Sequence, residues 1–429
     1  MFTGSWVRNF SQGIWLMTFP SITPMQRRLV LLAAVLGWMF DGLEMGIFPL
    51  IARPALQQMQ NGVPDDTFVG HWTGIITALF LLGAALGGVV FGWLGDKIGR
   101  VRALSASILT YSLFTGLVYF VQTPAQLGAL RFLAALGMGG EWALGVALVM
   151  EIWTGASRPM LAGVIGAAGN AGFLLSSLVG LSAPVTTTSW RWVALAGAAP
   201  ALLTFFIRMF VPESPAWTKA TEGVRAKPLR EIFSAELWKR TVVASLLCGI
   251  VLIVTWGLVQ WLPSWADQLT NSQNHSAKAW TQFWSALGAM AGCLLGAWLA
   301  EICGRRMGYF LLCVASLGSC IAFFNMESQY GMAFLAFTFL VGGLSAAFYG
   351  LIPLYLPELF PARVRATAQG LCYNIGRVLA AAGALQMGAL MGYFHGDYAK
   401  AGEMISLIYI LGMVVIWFAP ETKGQPLPD

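Results

Sequence analysis

Apolar residues of this 429-residue chain fall into twelve long runs that are separated by short polar stretches. A helix of about 20 mostly apolar residues crosses the hydrocarbon core of a membrane, and each run is of that order. Strands of a membrane barrel would instead alternate apolar and polar positions over about 10 residues. The pattern therefore predicts an all-α membrane protein with twelve transmembrane helices. The predicted spans lie near residues 28–51, 72–94, 102–121, 126–150, 159–181, 192–211, 241–263, 279–300, 307–325, 330–355, 365–391 and 402–419.

The longest polar stretch divides the chain into two sets of six spans. It carries six lysine and arginine residues and is expected to be a loop in the cytoplasm. The aromatic residues and single arginine of the N-terminal segment leave two interpretations open, a short interfacial helix or a disordered tail. The predicted organisation is a tail over 1–27, a six-helix bundle over 28–211, a loop over 212–240, a second bundle over 241–419 and a tail over 420–429.

Composition narrows the class of protein further. Only 10% of the residues are charged and 57% are hydrophobic, whereas about 25% of the residues in a soluble protein are charged. The low charge excludes a soluble enzyme, a secreted scaffold and a disordered chain. We expect neither a cofactor nor a metal, because the histidine and cysteine residues show no ligand spacing, and we expect no enzymatic activity and no nucleic-acid partner.

Positive residues predict the orientation in the membrane. If the N-terminus is cytoplasmic, 19 of the 25 lysine and arginine residues fall on the inner side, 4 on the outer side and 2 within spans. Because inner loops are enriched in lysine and arginine, both termini are expected in the cytoplasm. The expected location is the plasma (inner) membrane, with the chain as a multi-pass monomer.

An internal repeat links the two sets of spans. The loop after the second span, GWLGDKIGR (92–100), recurs after the eighth as AWLAEICGR (297–305). Glutamate and arginine residues after the fourth span recur after the tenth, and a Pro-Glu pair recurs after the sixth and twelfth. All three signatures keep offsets between 205 and 208 residues. A duplicated six-helix unit is typical of a transporter with its substrate site between the two halves.

Charged residues inside the predicted spans are candidates for transport. A charge near the middle of the bilayer costs at least about 2.5 kcal/mol and marks function by default. Asp41 and Glu44 lie three residues apart on one helix face, so burial and mutual repulsion favour a carboxyl that exchanges a proton near neutral pH. We therefore predict proton coupling at Asp41, Glu44 and Glu141. Ion pairs that fix helix register remain the alternative, between Asp41 or Glu44 and Arg131, and between Glu141 and Arg377.

Arg377 offers a planar fork of donors that suits a carboxylate. Protonation would neutralise an acid in one half, and an organic anion bound to Arg377 would neutralise the charge in the other. The halves would then rock between the two orientations of the transporter. The partners expected are this anion, protons and the lipid bilayer. The candidate substrate-binding residues are Arg377, Asn374, Tyr349, Gln260, Trp256 and Arg131.

Five motifs resemble the signatures of the major facilitator superfamily. They are GWLGDKIGRVR (92–102), RFLAALGMGGEW (131–142), PESPAW (212–217), PELFPARVRATAQG (357–370) and PETKG (420–424). Within that superfamily, GGEW (139–142), PELFPARVRAT (357–367) and Phe40-Asp41-Gly42 of the first span resemble the sialate, lactate and metabolite:proton symporters. Aromatic-acid symporters are more distant, as are sugar porters, with which PESP and PETKG are shared. The resemblance implies alternating access and a charge relay that closes the cytoplasmic side. The gating residues implied are Asp96, Arg100, Glu151, Arg158, Glu301, Arg305, Glu358 and Arg365.

The function predicted is proton-coupled symport of a small organic anion, such as a monocarboxylate or a related metabolite. A sugar or polyol:proton symporter is one alternative, although Gln260 is the only glutamine in the seventh span. An organic-cation or drug:proton antiporter is another, in which Asp41 and Glu44 would bind the cation. These alternatives are distinguished by imposing a proton gradient and measuring whether it drives the uptake of anions or the extrusion of cations.

Overall fold

The computed structural model describes most of the chain. The described residues are 5–9, 14–18, 23–60, 66–153, 158–182, 186–196, 198, 206–207, 210–214, 217–218, 228–270, 276–326, 329–394 and 397–428. Nearly all of them are helical, which confirms the predicted all-α membrane fold.

A two-stranded hairpin precedes the first helix. Strand β1 (Ser5–Asn9) pairs antiparallel with β2 (Ile14–Thr18), with Ser5 opposite Thr18. The described part of this segment is therefore neither of the two forms that the sequence left open, an interfacial helix or a disordered tail. Aromatic and branched residues on both sides of a Gly-containing stretch favour strands, which explains the difference.

The helices form two halves. The N-terminal half contains α1 (Pro24–Met59), α2 (Asp66–Ile98), α3 (Arg100–Leu117), α4 (Pro124–Ile152), α5 (Arg158–Ser182) and α6 (Trp190–Ala196). The short helix α7 (Pro228–Glu231) follows in the central loop. The C-terminal half contains α8 (Trp238–Gly257), α9 (Leu262–Leu269), α10 (Ala277–Cys303), α11 (Arg305–Met326), α12 (Met332–Ala346), α13 (Phe348–Leu359), α14 (Arg365–Tyr393), α15 (Tyr398–Ser406) and α16 (Ile408–Val415).

Ten helical segments of the described chain are long and apolar enough to cross a membrane. Half of the sixth predicted span, 192–211, lies outside the described residues. The eleventh is the continuous 29-residue helix α14, which is not among the ten and carries Asn374 and Arg377. Most of the predicted spans thus correspond to observed helices, which extend a few residues beyond the apolar runs at their ends.

Local sequence explains where two of these helices begin. Thr23 and Thr123 cap α1 and α4, and each accepts a hydrogen bond from the backbone N–H of a glutamine three residues later. The glutamine side chain in turn accepts from the backbone N–H of the threonine, and a proline occupies the first helical position. This reciprocal arrangement satisfies donors that a helix start leaves unpaired.

Two spans of the C-terminal half are interrupted, the first towards its C-terminal end and the second near its middle. Helix α8 ends at Gly257, a 3₁₀ turn covers Val259–Trp261, and α9 continues from Leu262. A break at Ala347 likewise separates α12 from α13. Interrupted helices in transporters place backbone and side-chain polar groups at the substrate.

The halves pack against each other along two seams. Helix α2 lies along α14, and α5 lies along α10 and α13. Glycines allow the close approach: a side chain on Gly370 of α14 would collide with the backbone of Gly88 on α2. Small residues at such crossings are the usual means of close helix packing in a membrane. The space between the two seams holds the candidate site.

Candidate functional site

Charged side chains cluster where α2, α4, α10 and α13 end, and we call this side of the bundle the basic end. In the N-terminal half, Nη1 of Arg100 donates to Oδ1 of Asp96 at 2.6 Å and Nη2 donates to Oε1 of Glu151 at 3.2 Å. All three side chains are fully buried. Charged side chains are tolerated in the interior of a folded protein when they are paired and hydrogen-bonded, as these are.

This cluster continues into the C-terminal half. Nη1 of Arg365 donates to Oε1 of Glu151 at 3.0 Å, and Nη2 of Arg100 donates to the carbonyl of Ala362 at 2.7 Å. Oδ2 of Asp96 accepts from both the backbone N–H (2.7 Å) and the hydroxyl (2.5 Å) of Thr367. Asp96 therefore caps the first turn of α14, where a negative charge is favoured. These bonds hold the two halves together at the basic end.

The second copy of the loop signature is arranged differently. Arg305 donates to both oxygens of Glu358, at 2.8 and 3.0 Å, within the C-terminal half. Glu301, the counterpart of Asp96, contacts Arg305 at 3.3 Å, and 46% of its side chain is exposed. Nε of Arg158 donates to the carbonyl of Trp153 at 2.8 Å. Seven of the eight predicted gating residues are thus joined in ion pairs, and Arg158 hydrogen-bonds to a backbone carbonyl instead. In the described residues, the ion pair that crosses between the halves joins Glu151 of the first copy to Arg365 of the second, and Glu301 takes no part in it.

Two glutamates that were not among the predicted site residues complete the basic end. Oε1 of Glu213 accepts from the backbone N–H of Arg100 at 2.7 Å, and Oε1 of Glu421 accepts from that of Arg305 at 3.0 Å. Burial raises the pKa of Glu213 despite these donors. Burial also opposes ionisation of Glu421, but the backbone N–H groups outweigh it and hold its pKa below the usual value. The repeated Pro-Glu pair was the signal that could have found both.

A second charged cluster lies inside the N-terminal half. Nη1 of Arg131 donates to Oε1 of Glu44, both side chains are buried, and the guanidinium lies 4.7 Å from the ring centres of Phe48 and Phe80. Arg131 was expected at the substrate. The structure places it instead in this ion pair, because the desolvated guanidinium finds a carboxylate on the neighbouring helix. This is one of the pairings that the sequence left open.

Asp41 and Glu141 are buried without such a partner. The side-chain oxygens of both residues accept no hydrogen bond from another side chain or backbone donor of the described chain, but the two carboxyl groups lie within hydrogen-bonding reach of each other. Glu141 packs against Gly37, one turn before Asp41 on α1. Arg377 of the opposite half is also within electrostatic reach of Asp41. The described residues thus supply buried carboxyl groups that only a proton or a distant cation can neutralise.

A cavity lies between the halves and is bounded on one side by Arg377; its empty space, including the part open to solvent, is about 510 Å³. Four of the predicted substrate residues line it, namely Trp256, Gln260, Tyr349 and Arg377. A fifth, Asn374, accepts a hydrogen bond from Nη1 of Arg377 at 2.9 Å and orients the guanidinium, which also lies 5.1 Å from the ring centre of Tyr373. The described lining that the sequence did not predict consists of Trp38, Met45, Gly166, Gly169, Asn170, Phe173, Thr255 and Tyr373.

Comparison with known proteins agrees with this architecture. The chain is 29% identical over 385 residues to the inner membrane metabolite transport protein YgcS of Escherichia coli, covering 82% of this chain and 84% of that protein. It is 27% identical over 411 residues to the cis,cis-muconate transport protein of Acinetobacter baylyi, covering 93% and 96%. The structure of the proton:xylose symporter XylE superposes with a TM-score of 0.77 at 18% identity, covering 94% and 97%.

The sequence model of the Major Facilitator Superfamily matches residues 30–384, which span both halves and the central loop. This agrees with the resemblance of the five motifs, with the two packed halves and with the metabolite transporters among the relatives. The chain is therefore a multi-pass integral membrane protein with the fold of twelve transmembrane helices, and it belongs to the major facilitator superfamily.

Proposed function

We propose that the protein is a proton-coupled symporter of a small organic anion that works by alternating access. The observation that carries the proposal is the placement of Arg377 and Asp41 on opposite halves, with Arg377 at the cavity and Asp41 buried within its electrostatic reach. A carboxylate bound to Arg377 neutralises that cation, and a proton taken up by the Asp41 and Glu141 pair removes a buried negative charge from the other half. Only such a loaded state, or the empty state, then moves between orientations at low cost.

Each group has a distinct part in this cycle. Arg377 binds the substrate carboxylate through its donor fork, with Asn374 holding the guanidinium in place. Asp41 and Glu141 take up the proton, and Glu44 is held by Arg131 for structural support. The ion pairs at the basic end close that side while the cavity is open to the other, and the excess of positive loop residues favours the cytoplasm as the closed side.

The relatives support a carboxylate as the substrate class. One of them is named for cis,cis-muconate and another for metabolite transport. A sugar or polyol remains the second candidate, since neutral polar side chains such as Asn170 and Gln260 also line the cavity. Cation antiport is disfavoured because a cationic substrate would meet a positive charge in the cavity. In its described lining Arg377 is the charged residue, and Asp41, Glu44 and Glu141 do not belong to that lining.

The test is uptake into proteoliposomes that are acidified on the outside. Labelled monocarboxylates should accumulate with the proton gradient, and Arg377→Gln should abolish accumulation. Asp41→Asn should lose acceleration by the gradient while keeping exchange of substrate at equal pH, since exchange needs no net proton movement. Glu236→Gln, an exposed change in the central loop, is the control. Unchanged uptake and pH dependence in folded Asp41→Asn protein would refute the proposal, as would cation extrusion.

A further inference from the structure

The central cavity has two compartments. The first, which we call the anion compartment, is the space of about 510 Å³ bounded by Trp38, Trp256, Tyr373 and Arg377. The second, the amide compartment, has about 530 Å³ of space and is bounded by Gln282 and other residues of α10 and α12. The five residues that line both compartments are Asn170, Phe173, Thr255, Gln260 and Tyr349.

The two compartments differ in charge. Among the residues described around them, Arg377 is the one ionised side chain, and it belongs to the anion compartment. A carboxylate in the amide compartment would lose its hydration without gaining a cation, which is costly in a cavity of low dielectric constant. A neutral group that donates or accepts hydrogen bonds would not meet that penalty.

Hydrogen-bonding groups in the amide compartment are available to a ligand. Gln282 and Ser285 lie three residues apart on one face of α10, and neither hydrogen-bonds to another described residue. Their neighbours are already engaged: the hydroxyl of Tyr409 donates to Ser345 at 3.1 Å, and that of Tyr349 donates to Thr255 at 2.9 Å. Gln282 supplies both an amide donor and a carbonyl acceptor.

We infer that the amide compartment is a second subsite, in which Gln282 and Ser285 bind the uncharged polar end of a substrate whose carboxylate lies on Arg377. The inference rests on the proposed function, because it takes Arg377 as the carboxylate site. It narrows the substrate class to monocarboxylates that carry a hydroxyl, carbonyl or amide group at the far end. A dicarboxylate is excluded because its second charge would find no cation, and this would distinguish the protein from the relative named for cis,cis-muconate, which is a dicarboxylate.

Three rigid probes that differ only at the far end test this selectivity. Benzoate ends in an apolar ring edge, 4-hydroxybenzoate in a hydroxyl group and terephthalate in a second carboxylate. Binding to the purified protein is followed by quenching of tryptophan fluorescence, because Trp38 and Trp256 line the anion compartment. Uptake driven by a proton gradient is measured separately in proteoliposomes. The variants are Gln282→Leu and Ser285→Ala, and Ser319→Ala, which lies in α11 away from both compartments, is the control.

We expect 4-hydroxybenzoate to bind three- to tenfold more tightly than benzoate, and terephthalate not to compete. Gln282→Leu and Ser285→Ala should each remove most of this preference and change benzoate affinity less than twofold, while Ser319→Ala changes neither. If the probes bind in this order of affinity but none of them is taken up with the proton gradient, the result supports the subsite and refutes the symport mechanism. The inference would be overturned if terephthalate bound as tightly as 4-hydroxybenzoate, or if the two variants weakened the binding of benzoate as much as that of 4-hydroxybenzoate. It would also be overturned if none of the three probes bound.

Discussion

Glu44 and Arg131 are expected to act as a structural ion pair. Removing one partner of a buried pair leaves an uncompensated charge and costs about 3–5 kcal/mol, whereas replacing both with residues of similar shape is often neutral. Glu44→Gln should therefore lower the free energy of unfolding by that amount, because Arg131 lies buried between two phenylalanine rings. The double change Glu44→Gln/Arg131→Met should recover most of the loss. Denaturant unfolding of the purified protein measures both effects.

Asp41→Asn provides the matched comparison for this pair. Asp41 has no ion pair within 4.0 Å in the described chain, so its replacement should not destabilise the protein and should affect only transport. Retention of proton-driven uptake by the double variant would assign Glu44 to structure. If Glu44→Gln unfolds like the wild type, the ion pair does not contribute as the geometry indicates.

Single residues differ in how visible they are in the sequence. Charges stand out in an apolar run, so Asp41, Glu141 and Arg377 could be found without a structure. The sequence could not decide whether Asp41 or Glu44 pairs with Arg131, because the face that a helix turns to its neighbour depends on packing between spans far apart in sequence. Asn170, Thr255 and Tyr373 were missed because neutral polar and aromatic side chains are common in membrane helices and carry no comparable cost.

Helices were predicted well where local signals mark their ends and less well where packing decides. The threonine that precedes α4 and the proline at its first position are such a signal, and Gly257 and Pro263 mark the interruption of the seventh span. The break at Ala347 carries no comparable signal at its own position, since Gly350 and Pro353 come later. Repeat symmetry was also an incomplete guide, because it predicts equal roles for Asp96 and Glu301.

The difference between these two acids yields a prediction for α14. Asp96→Asn weakens the only described cap on the first turn of α14 that comes from the other half, so the basic end should open more often. Opening is measured by maleimide labelling of Ala362→Cys in a Cys303→Ser background, because Ala362 is buried beside Arg100 and Cys303 is exposed. We expect labelling to be at least fivefold faster than in the parent.

Glu301→Gln is the matched control for this change. Among the described residues, Glu301 forms its ion pair with Arg305 of its own half, and its side chain is nearly half exposed. An ion pair of this kind contributes about 0–1 kcal/mol. The labelling rate of the Glu301→Gln variant should stay within twofold of the parent. Equal acceleration by both changes would show that the two copies of the loop signature act alike, contrary to the asymmetry seen here.

At the scale of the whole molecule, the duplication was readable from three repeated signatures at nearly one offset. The repeat predicts two similar halves, but it does not state how closely they pack or which end is closed. Those properties depend on bonds between halves, such as that from Arg365 to Glu151, whose residues are 214 positions apart. The sequence provided each charge, and only the fold shows that they meet.

Glycines at the seams between halves are expected to control the conformational equilibrium. A methyl group on Gly166 of α5 would collide with the backbone of Tyr349, and one on Gly370 would collide with that of Gly88, so each contact joins the two halves. Gly292 makes an equally tight contact with Gly343, but within the C-terminal half. Overpacking costs about 1–3 kcal/mol, whether the contact lies between the halves or within one of them. At Gly166 and Gly370 this cost can be relieved by separation of the two halves, whereas at Gly292 it cannot.

We therefore predict that Gly166→Ala and Gly370→Ala favour the state open at the basic end, with little loss of thermal stability. Gly292→Ala should instead lower the melting temperature without changing access to the basic end. Maleimide labelling of Ala362→Cys in the Cys303→Ser background reports the opening, and thermal unfolding in detergent reports stability. If all three changes lowered stability alike and left labelling unchanged, the seams would be static packing surfaces and the halves would not separate along them.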